Sequence, residues 1–291
     1  MTVTNKFCVA VLGLALTLPL AACSQAHERG RNDNYQTDAL AKTHAEAHYI
    51  ANAGVMAVSG TTKVLFDPFT ATGYNNYLEV TAAKLAMLIA GAAPYDDIDA
   101  VFISHAHGDH FDAGDMIAFM NAQTKAQLIL PAQALEMMQK DPNWDAGVGS
   151  RITAINMDYG DAPIELTIGD ITASAVRIAH AGWPEPRRVA LQNMVYRVSL
   201  DGGTTVMHMG DADVNDVHYA PFDDHWQKEI TDTAFPPYWF FGSENGKSIL
   251  KDRLNTRRSI GVHVPLKLPQ DLKDSGQDYF SVSGETREIG E

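Results

Sequence analysis

The chain has 291 residues, 45% of them hydrophobic, and a formal net charge of −14, so it can bury a substantial core and is strongly acidic. Because binding to a phosphate backbone needs a basic footprint, 36 acidic against 22 basic side chains exclude a nucleic-acid partner. Two short basic clusters, Pro186-Arg187-Arg188 and Arg253 to Arg258, are typical of solvated surface, although each has the charge to hold one phosphate or carboxylate.

Residues 1–22 have the pattern of an export signal. Lys6 precedes the apolar stretch Phe7 to Leu20, which is too short for a membrane-spanning helix, and small residues follow directly before Cys23. The other cysteine of the chain, Cys8, lies inside this segment. The folded body is therefore predicted to contain no thiol and no internal disulfide.

The run Leu20-Ala21-Ala22-Cys23 resembles the lipobox of bacterial lipoproteins. This resemblance implies cleavage before Cys23, acylation of that cysteine and a lipid anchor as the contact with a membrane. Ser24 after the cysteine implies sorting to the outer membrane, facing the periplasm, with residues 23–37 as a flexible tether. The alternative is an ordinary secretory cleavage that leaves Cys23 as a free thiol.

Residues 38–291 are predicted to form one domain, because no low-complexity linker or internal repeat interrupts them. In chain order, periodicity and turn signals predict a helix (Thr37 to Ala47), two strands (Tyr49 to Val58, Lys63 to Phe66), a helix (Glu79 to Ala90), a strand (Ala100 to Ser104), a helix (Asp112 to Asn121), a strand (Gln127 to Leu130), a helix (Ala132 to Lys140), five strands (Arg151 to Asn156, Ala162 to Ile168, Ile171 to Ile178, Asn193 to Leu200, Thr204 to His208), helices near Asn215 and at Ser243 to Leu254, and a strand (Ser259 to Val264). Mixed sheets covered by helices predict an α/β sandwich.

A loop with four metal-capable side chains follows the apolar strand Ala100 to Ile103. It contains His105, His107, Asp109 and His110. Three imidazoles and a carboxylate this close together need a cation to satisfy them if they are buried. Imidazole and carboxylate suit zinc, manganese or iron, so the loop predicts a metal site; a metal-free surface loop is the alternative that the strand context disfavours.

Three more candidate ligands lie at predicted strand ends. His180 ends the strand Ile171 to Ile178, Asp211 follows Gly210 after Val206 to Met209, and His263 follows Ile260 to Val262. Taken singly, each is more often a capping or core residue. It is their order after the first loop that indicates a shared site.

The ordered set His-x-His-x-Asp-His, then His, then Gly-Asp, then His resembles the metallo-β-lactamase fold hydrolases, over Tyr49 to His263. The fold implied is an αββα sandwich of two mixed β-sheets flanked by helices. Three stretches, Asn52 to Gly54, Val64 to Pro68 and Phe102 to Ser104, further resemble the branch that includes L-ascorbate-6-phosphate lactonase-like proteins and N-acylphosphatidylethanolamine-hydrolysing phospholipase D-like enzymes.

The resemblance implies two divalent metal ions. The first would be held by His105, His107 and His180, the second by Asp109, His110 and His263, and Asp211 would bridge them. A hydroxide between the metals would be the nucleophile, and Asp109 would orient it and pass its proton to the leaving group. Zinc is the favoured metal, and manganese or iron would satisfy the same ligands.

The implied reaction is hydrolysis of a phosphodiester, lactone, ester or amide bond in a small-molecule substrate. Antibiotic hydrolysis is disfavoured because those enzymes typically lack a bridging aspartate at the position of Asp211, and oxygen reduction because flavodiiron proteins have glutamate at the position of His107. A lactonase of signalling or sugar lactones is the alternative within catalysis. A non-catalytic metal-binding envelope lipoprotein is the alternative of another class.

Other residues receive secondary expectations. Asp67 is either an acceptor that orients a ligating histidine or a turn former before Pro68. His208 and Asp213 are expected to be bystanders. Four histidines are expected on the surface: His44, His48, His218 and His225.

Aromatic residues after the strands are candidates for a substrate pocket. Trp183, Tyr238 and Trp239 are the pocket candidates, whereas Phe240 and Phe241 are expected in the core. The tail Lys267 to Glu291 is polar and predicts a surface arm or an oligomer contact, with no chemistry of its own. The oligomeric state itself stays open.

Overall fold

Two mixed β-sheets of seven strands each organise residues 44–290, the part of the chain that the computed structural model describes. The strands of the first sheet are β1 (Ala45–Ala51), β2 (Gly54–Ser59), β3 (Thr62–Phe66), β4 (Ala100–Phe102), β5 (Gln127–Pro131), β6 (Ile152–Ile155) and β14 (Thr286–Glu288). Those of the second are β7 (Ile164–Ile168), β8 (Ile171–Arg177), β9 (Met194–Ser199), β10 (Thr205–His208), β11 (Thr231–Phe235), β12 (Thr256–Gly261) and β13 (Asp278–Tyr279).

The helices lie between these strands. They are α1 (Ala82–Ala90), α2 (Ala113–Ala122), α3 (Ala132–Lys140), α4 (Pro186–Val189), α5 (Asp223–Trp226), α6 (Glu244–Ser248) and α7 (Gln270–Asp274). Their ends follow from local chemistry: the Thr81 side chain accepts the Lys84 N–H at the start of α1, and Gly91 ends that helix in the left-handed conformation. Asp112 caps α2 in the same way by accepting the Asp115 N–H. Among the described residues, no helix combines the length and apolar content needed to cross a bilayer.

Both sheets place an antiparallel half beside a parallel half. The first runs in the order β14-β1-β2-β3-β4-β5-β6, antiparallel up to β3 and parallel from β3 to β6. The second runs β13-β12-β11-β10-β9-β8-β7, parallel from β13 to β10 and antiparallel beyond. Strands β3, β4, β8, β10 and β12 therefore deliver the loops that follow them to one edge of the sandwich.

Three apolar layers hold these elements together. The central layer lies between the sheets and includes Phe66 and Phe102 from the first sheet and Tyr196 and Phe235 from the second. One outer layer packs the first sheet against α1, α2 and α3, and the other packs the second sheet against the region of α5 to α7. Strand β4 is buried throughout, because both of its faces are covered. The predicted αββα sandwich is confirmed.

Several predicted elements were wrong in detail. The helix predicted at Thr37 to Ala47 is contradicted at residues 45–47, which belong to β1, because pairing with β2 and β14 overrides the local helical spacing. The strand predicted at Tyr49 to Val58 is two strands, since the chain reverses at Asn52 with φ of 45°. Strand β11 was not predicted. The signal peptide and tether lie outside the described residues and stay predictions.

The polar tail is part of the fold rather than a surface arm. It contributes α7, adds β13 to the second sheet and adds β14 to the first. In β14, Arg287 pairs with Ala47 of β1, and the Ile289 N–H donates to the Ala45 carbonyl at 2.9 Å. The tail is rich in polar residues although it is part of the fold, because its two strands lie at sheet edges, where one side faces solvent.

Candidate metal centre

All seven predicted ligands meet at the edge where the parallel strands end. They form two groups in which the potential ligand atoms lie within 4.8 Å of one another: His105, His107, His180 and Asp211, and Asp109, His110, Asp211 and His263. The loop after β4 supplies four of these side chains, and the loops after β8, β10 and β12 supply one each. The clustering agrees with the sequence-based prediction, while their role as ligands stays a proposal.

Asp211 belongs to both groups and turns one carboxylate oxygen toward each. Its Oδ2 lies 3.3 Å from Nε2 of His180, and its Oδ1 lies 3.1 Å from Nε2 of His110 and 3.4 Å from Nε2 of His263. Two atoms that bind one tetrahedral zinc at about 2.0–2.1 Å lie about 3.3–3.4 Å apart. The spacing therefore matches a shared ligand between two cations.

Asp67 sets the orientation of His110 and, through Ser104, of His105. Its Oδ2 accepts from Nδ1 of His110 at 2.8 Å and from the Ser104 hydroxyl at 2.5 Å, and its Oδ1 accepts the Ser104 N–H at 2.7 Å. Because the hydroxyl proton goes to Asp67, Ser104 Oγ accepts from Nδ1 of His105 at 3.0 Å. Both imidazoles thus direct an Nε2 lone pair inward. Of the two roles expected for Asp67, the structure supports the hydrogen-bond acceptor that orients a histidine of the centre.

His180 and His107 complete the first group. Nδ1 of His180 donates to the Ala181 carbonyl at 2.8 Å, which leaves its Nε2 for the centre. His107 instead presents Nδ1, which lies 3.2 Å from Nε2 of His105. Four nitrogen or oxygen lone pairs therefore converge on the same space from different directions, as a metal ion requires.

Two facing buried atoms of the centre lack a hydrogen-bond partner among the described residues. Nε2 of His110 and Oδ1 of Asp211 make no hydrogen bond within residues 44–290, although they lie 3.1 Å apart. In the neutral form of His110, whose Nδ1 donates to Asp67, both facing atoms are acceptors and repel each other, so either a proton or a cation must lie between them. A cation between them removes this repulsion and satisfies both. The chemistry and burial of the residues present thus fit divalent metal ions.

Charge and burial prepare these groups as ligands. Burial lowers the pKa of His105 well below its ordinary value and that of His107 to about 4, so both imidazoles are neutral at pH 7. For Asp211, burial alone would raise the pKa, but His263 and His110 outweigh it and hold the pKa well below the usual range. The carboxylates of Asp211 and Asp67 likewise outweigh burial and raise the pKa of His110, so a metal ion there competes with a proton.

Two asparagines that the sequence did not single out as site residues brace the ligand loops. Oδ1 of Asn193 accepts the Asp211 N–H at 3.0 Å, and its Nδ2 donates to the Met209 carbonyl at 3.2 Å. Nδ2 of Asn52 donates to the Asp109 carbonyl at 2.8 Å, and the backbone carbonyl of Asn52 accepts the His263 N–H at 2.9 Å. The available signal was a polar residue directly beside an apolar strand.

A cleft of about 760 Å³ opens onto the centre. Its walls combine the aromatic side chains of Tyr77 and Trp239 with Glu185, Arg187 and Arg188. Tyr77 packs edge-on against His263 with ring centroids 4.2 Å apart, and burial followed by the Asp211 charge raises its pKa to about 12, so it stays a neutral phenol. Tyr77 was missed because nothing in its local sequence marks it.

Of the aromatic pocket candidates, Trp239 lines the cleft, with its ring 5.4 Å from that of His263. Trp183 instead stacks on Tyr159, and Tyr238 packs edge-on against Trp239. Phe240 and Phe241 are core residues, as expected.

Two histidines expected on the surface are buried. His218 hydrogen-bonds the Tyr159 hydroxyl at 2.7 Å, and His225 packs edge-on against Trp226. Neither belongs to the metal groups. His208 is also outside them: it is fully buried, and its Nε2 donates to the Ala53 carbonyl at 2.9 Å. Their burial follows from tertiary packing that single-sequence patterns do not report.

A family model described as a β-lactamase superfamily domain matches residues 48–224, which include six of the seven candidate ligands and leave out His263. Comparison with curated proteins finds no match. Solved structures with a similar fold include Igni18, a metallo hydrolase from the archaeon Ignicoccus hospitalis, at 15% identity and a TM-score of 0.54, covering 84% of this chain and 98% of that one.

Two further structures are similar to the same extent. A possible metal-dependent hydrolase from Veillonella parvula has 15% identity and a TM-score of 0.54, covering 84% of this chain and 99% of that one. An isothiocyanate hydrolase from Delia radicum gut bacteria has 13% identity and a TM-score of 0.55, covering 84% and 100%. At these identities the likeness establishes the fold alone.

Proposed function

Because the chain belongs to the β-lactamase superfamily, we propose that it is a hydrolase whose clustered His and Asp side chains hold two divalent metal ions. The observation that carries this proposal is Asp211, which turns one oxygen toward each group of ligands. A storage site has no need for such a shared carboxylate, which argues against the non-catalytic lipoprotein. Zinc remains the favoured metal, and manganese and iron suit the same nitrogen and oxygen donors.

Each group of ligands holds one ion in this proposal. His105, His107 and His180 hold one, Asp109, His110 and His263 hold the other, and Asp211 is shared. When bound, two such ions lower the pKa of water toward neutrality and neutralise the charge that develops on a carbonyl or phosphoryl oxygen.

Asp109 is the residue that moves a proton. It lines the cleft, and its Oδ2 lies 3.1 Å from Nε2 of His263. Burial raises its pKa, but the hydrogen bond from His263 and the charge of His110 outweigh this and lower it, so the side chain is a carboxylate at neutral pH. It can accept a proton from the attacking water and deliver it to the leaving group. Tyr77 and Trp239 exclude bulk water from one wall.

The bond proposed for cleavage is a phosphodiester, a carboxylic ester or a lactone in a small-molecule substrate. Purified protein should contain close to two metal ions per chain by elemental analysis. A panel of a chromogenic phosphodiester, an ester, a lactone and a β-lactam then identifies the bond, with ring opening faster than phosphodiester cleavage marking a lactonase. Absence of tightly bound metal would overturn the proposal.

Substitution of Asp109 separates catalysis from metal storage. We expect Asp109→Asn to lower kcat by about 100-fold or more, since general acid–base catalysis contributes on this scale. Asp213→Asn is the matched control, because Asp213 lies two residues beyond Asp211 and its Oδ1 accepts the Asn215 N–H, which an amide oxygen can also accept. If Asp109→Asn alters only the metal content, and neither the wild type nor the variant turns over any substrate, the protein is a metal-storage protein and the hydrolase hypothesis is rejected.

We also propose that the protein is an exported lipoprotein of the outer membrane, facing the periplasm. The support is the sequence Leu20-Ala21-Ala22-Cys23 and the following Ser24. Mass spectrometry of the membrane-extracted protein should find a mature chain that begins at an acylated Cys23. A soluble chain with an unmodified Cys23 thiol would contradict the anchor.

A further inference from the structure

We propose that Arg188 binds an oxyanion of the substrate, a carboxylate or a phosphoryl group, beside the metal centre. This inference rests on the proposed function and adds the substrate class: a small anionic molecule. Its starting point is a basic cluster, Arg187 and Arg188, in the wall of the cleft of a chain whose net charge is −14.

Arg188 reaches the centre without an acceptor for its guanidinium. Its Nη1 lies 3.3 Å from Nε2 and 3.4 Å from Nδ1 of His180. A donor nearly equidistant from both ring nitrogens cannot point along the lone pair of either. Moreover, Nδ1 of His180 already donates to the Ala181 carbonyl, and its Nε2 faces Asp211. The imidazole therefore leaves the N–H groups of Arg188 unsatisfied.

The acidic side chain of the same loop, Glu185, binds backbone groups instead of the guanidinium. Oε2 of Glu185 accepts the backbone N–H groups of Arg187 and Arg188, at 3.1 and 3.2 Å. Within residues 44–290, neither arginine forms an ion pair with a carboxylate, whereas Arg253, Arg257 and Arg258 all do. Of the two basic clusters in the sequence, the one in the cleft wall is the one without an anion.

The loop around α4 packs beside the Arg188 side chain. A Cβ on Gly182, whose φ is 93°, would be in ordinary van der Waals contact with Cγ of Arg188 at 3.4 Å. The side chain is half-buried rather than free in solvent. A guanidinium held in place loses less entropy when it binds an anion, and its planar fork matches both carboxylate and phosphoryl oxygens.

The charge balance of the occupied cleft also favours an anion. Asp109, Asp211 and Glu185 contribute three negative charges, which two divalent ions would exceed by one, and Arg187 and Arg188 add two more positive charges. A substrate with an anionic group adjacent to its scissile bond would place that group at Arg188 while the bond lies over the metals. A neutral substrate leaves the arginine unpaired.

The first test is binding rather than turnover. Calorimetry on the metal-loaded protein measures the affinity for inorganic phosphate and for succinate, which separates the two sources of the oxyanion. We expect Arg188→Met to weaken the better ligand about tenfold or more, the scale of hydrogen bonds to charged groups, and Arg188→Lys to restore part of it. Arg257→Met is the control, because Arg257 pairs with Asp232 at the opposite end of β12. Metal content must be equal in all variants.

The second test compares matched substrates. In Arg188→Met, KM for 4-nitrophenyl hemisuccinate should rise about tenfold, while KM for the neutral 4-nitrophenyl butyrate stays within about twofold. Equal oxyanion affinities in wild type and Arg188→Met overturn the inference and leave the hydrolase standing. Loss of affinity in Arg188→Met without turnover of any substrate by the wild type supports the oxyanion site and rejects the hydrolase.

Discussion

Replacing Asp67 with Asn should weaken metal binding without removing a ligand. Oδ2 of Asp67 accepts from Nδ1 of His110 and from the Ser104 hydroxyl, at 2.8 and 2.5 Å, and Oδ1 accepts the Ser104 N–H at 2.7 Å. An amide has one acceptor oxygen, so its NH₂ group must face at least one of these donors. If it faces Nδ1 of His110, the ring changes tautomer and its Nε2 carries the proton that a metal must displace.

The expected loss is set by this outer hydrogen bond. Disrupting such contacts typically costs about 10- to 100-fold in metal affinity, or about 1.4–2.7 kcal/mol. The ion held by His110 should be weakened more than the ion held by His105, which Asp67 reaches only through Ser104. Competition with a chromogenic chelator measures both affinities.

Asp99→Asn is the matched control for this experiment. Oδ2 of Asp99 accepts the Lys63 N–H at 2.8 Å, and Asp99 precedes the strand β4 that Ser104 follows. It therefore perturbs the same sheet at the end away from the centre and should leave both affinities unchanged. Wild-type affinity for both ions in folded Asp67→Asn would refute the reasoning.

The other predictions concern Asp211, Gly210 and the metals. Asp211→Asn should release metal from both groups and lower hydrolysis by about 100-fold or more; elemental analysis that shows full occupancy would contradict the shared ligand. Gly210→Ala should cost about 2–5 kcal/mol in chemical denaturation, because φ is 54° and a Cβ would lie 2.6 Å from Cβ of Ser104. Gly169→Ala, with φ of 58° and no atom within 4 Å, should show the backbone cost alone, about 1–2 kcal/mol. Chelation should lower Tm by about 5–10 °C, because metal binding at a concentration of 100 Kd adds about 2.7 kcal/mol to the free energy of unfolding. An unchanged Tm would indicate that metal does not stabilise the fold.

The clustering of the candidate ligands could be predicted because each lies directly beside a strand end. His105 to His110 follow β4, and Asp211 follows β10 after a tight turn at Gly210. Strand ends are visible in a sequence, and ligands at strand ends meet when the strands share a direction. His263 likewise follows a strand end, although the structure ends β12 at Gly261, two residues before His263.

The residues around the ligands could not be predicted in the same way. Asn193 and Asn52 act through backbone groups 16 to 211 positions away, and no local pattern reports such distances. Arg188 looked like solvated surface because a short basic run is usually that; its place beside His180 arises from the fold of the loop around α4. The helix predicted at Thr37 to Ala47 was wrong at residues 45–47 for the related reason that β14 pairs there from the other end of the chain.

The two sheets contribute different halves of the metal centre. Four candidate ligands follow a strand of the first sheet and three follow strands of the second. The polar contacts between the sheets include Met194 N–H to the Ser104 carbonyl at 2.8 Å and the Tyr196 hydroxyl to the Ile103 carbonyl at 3.0 Å. Because each proposed ion would take ligands from both sheets, the packing of the apolar layer between the sheets sets how closely the two sets of ligands approach each other. A methylene added to an interior residue such as Val206 would therefore press the two sheets apart and weaken metal binding without removing a ligand.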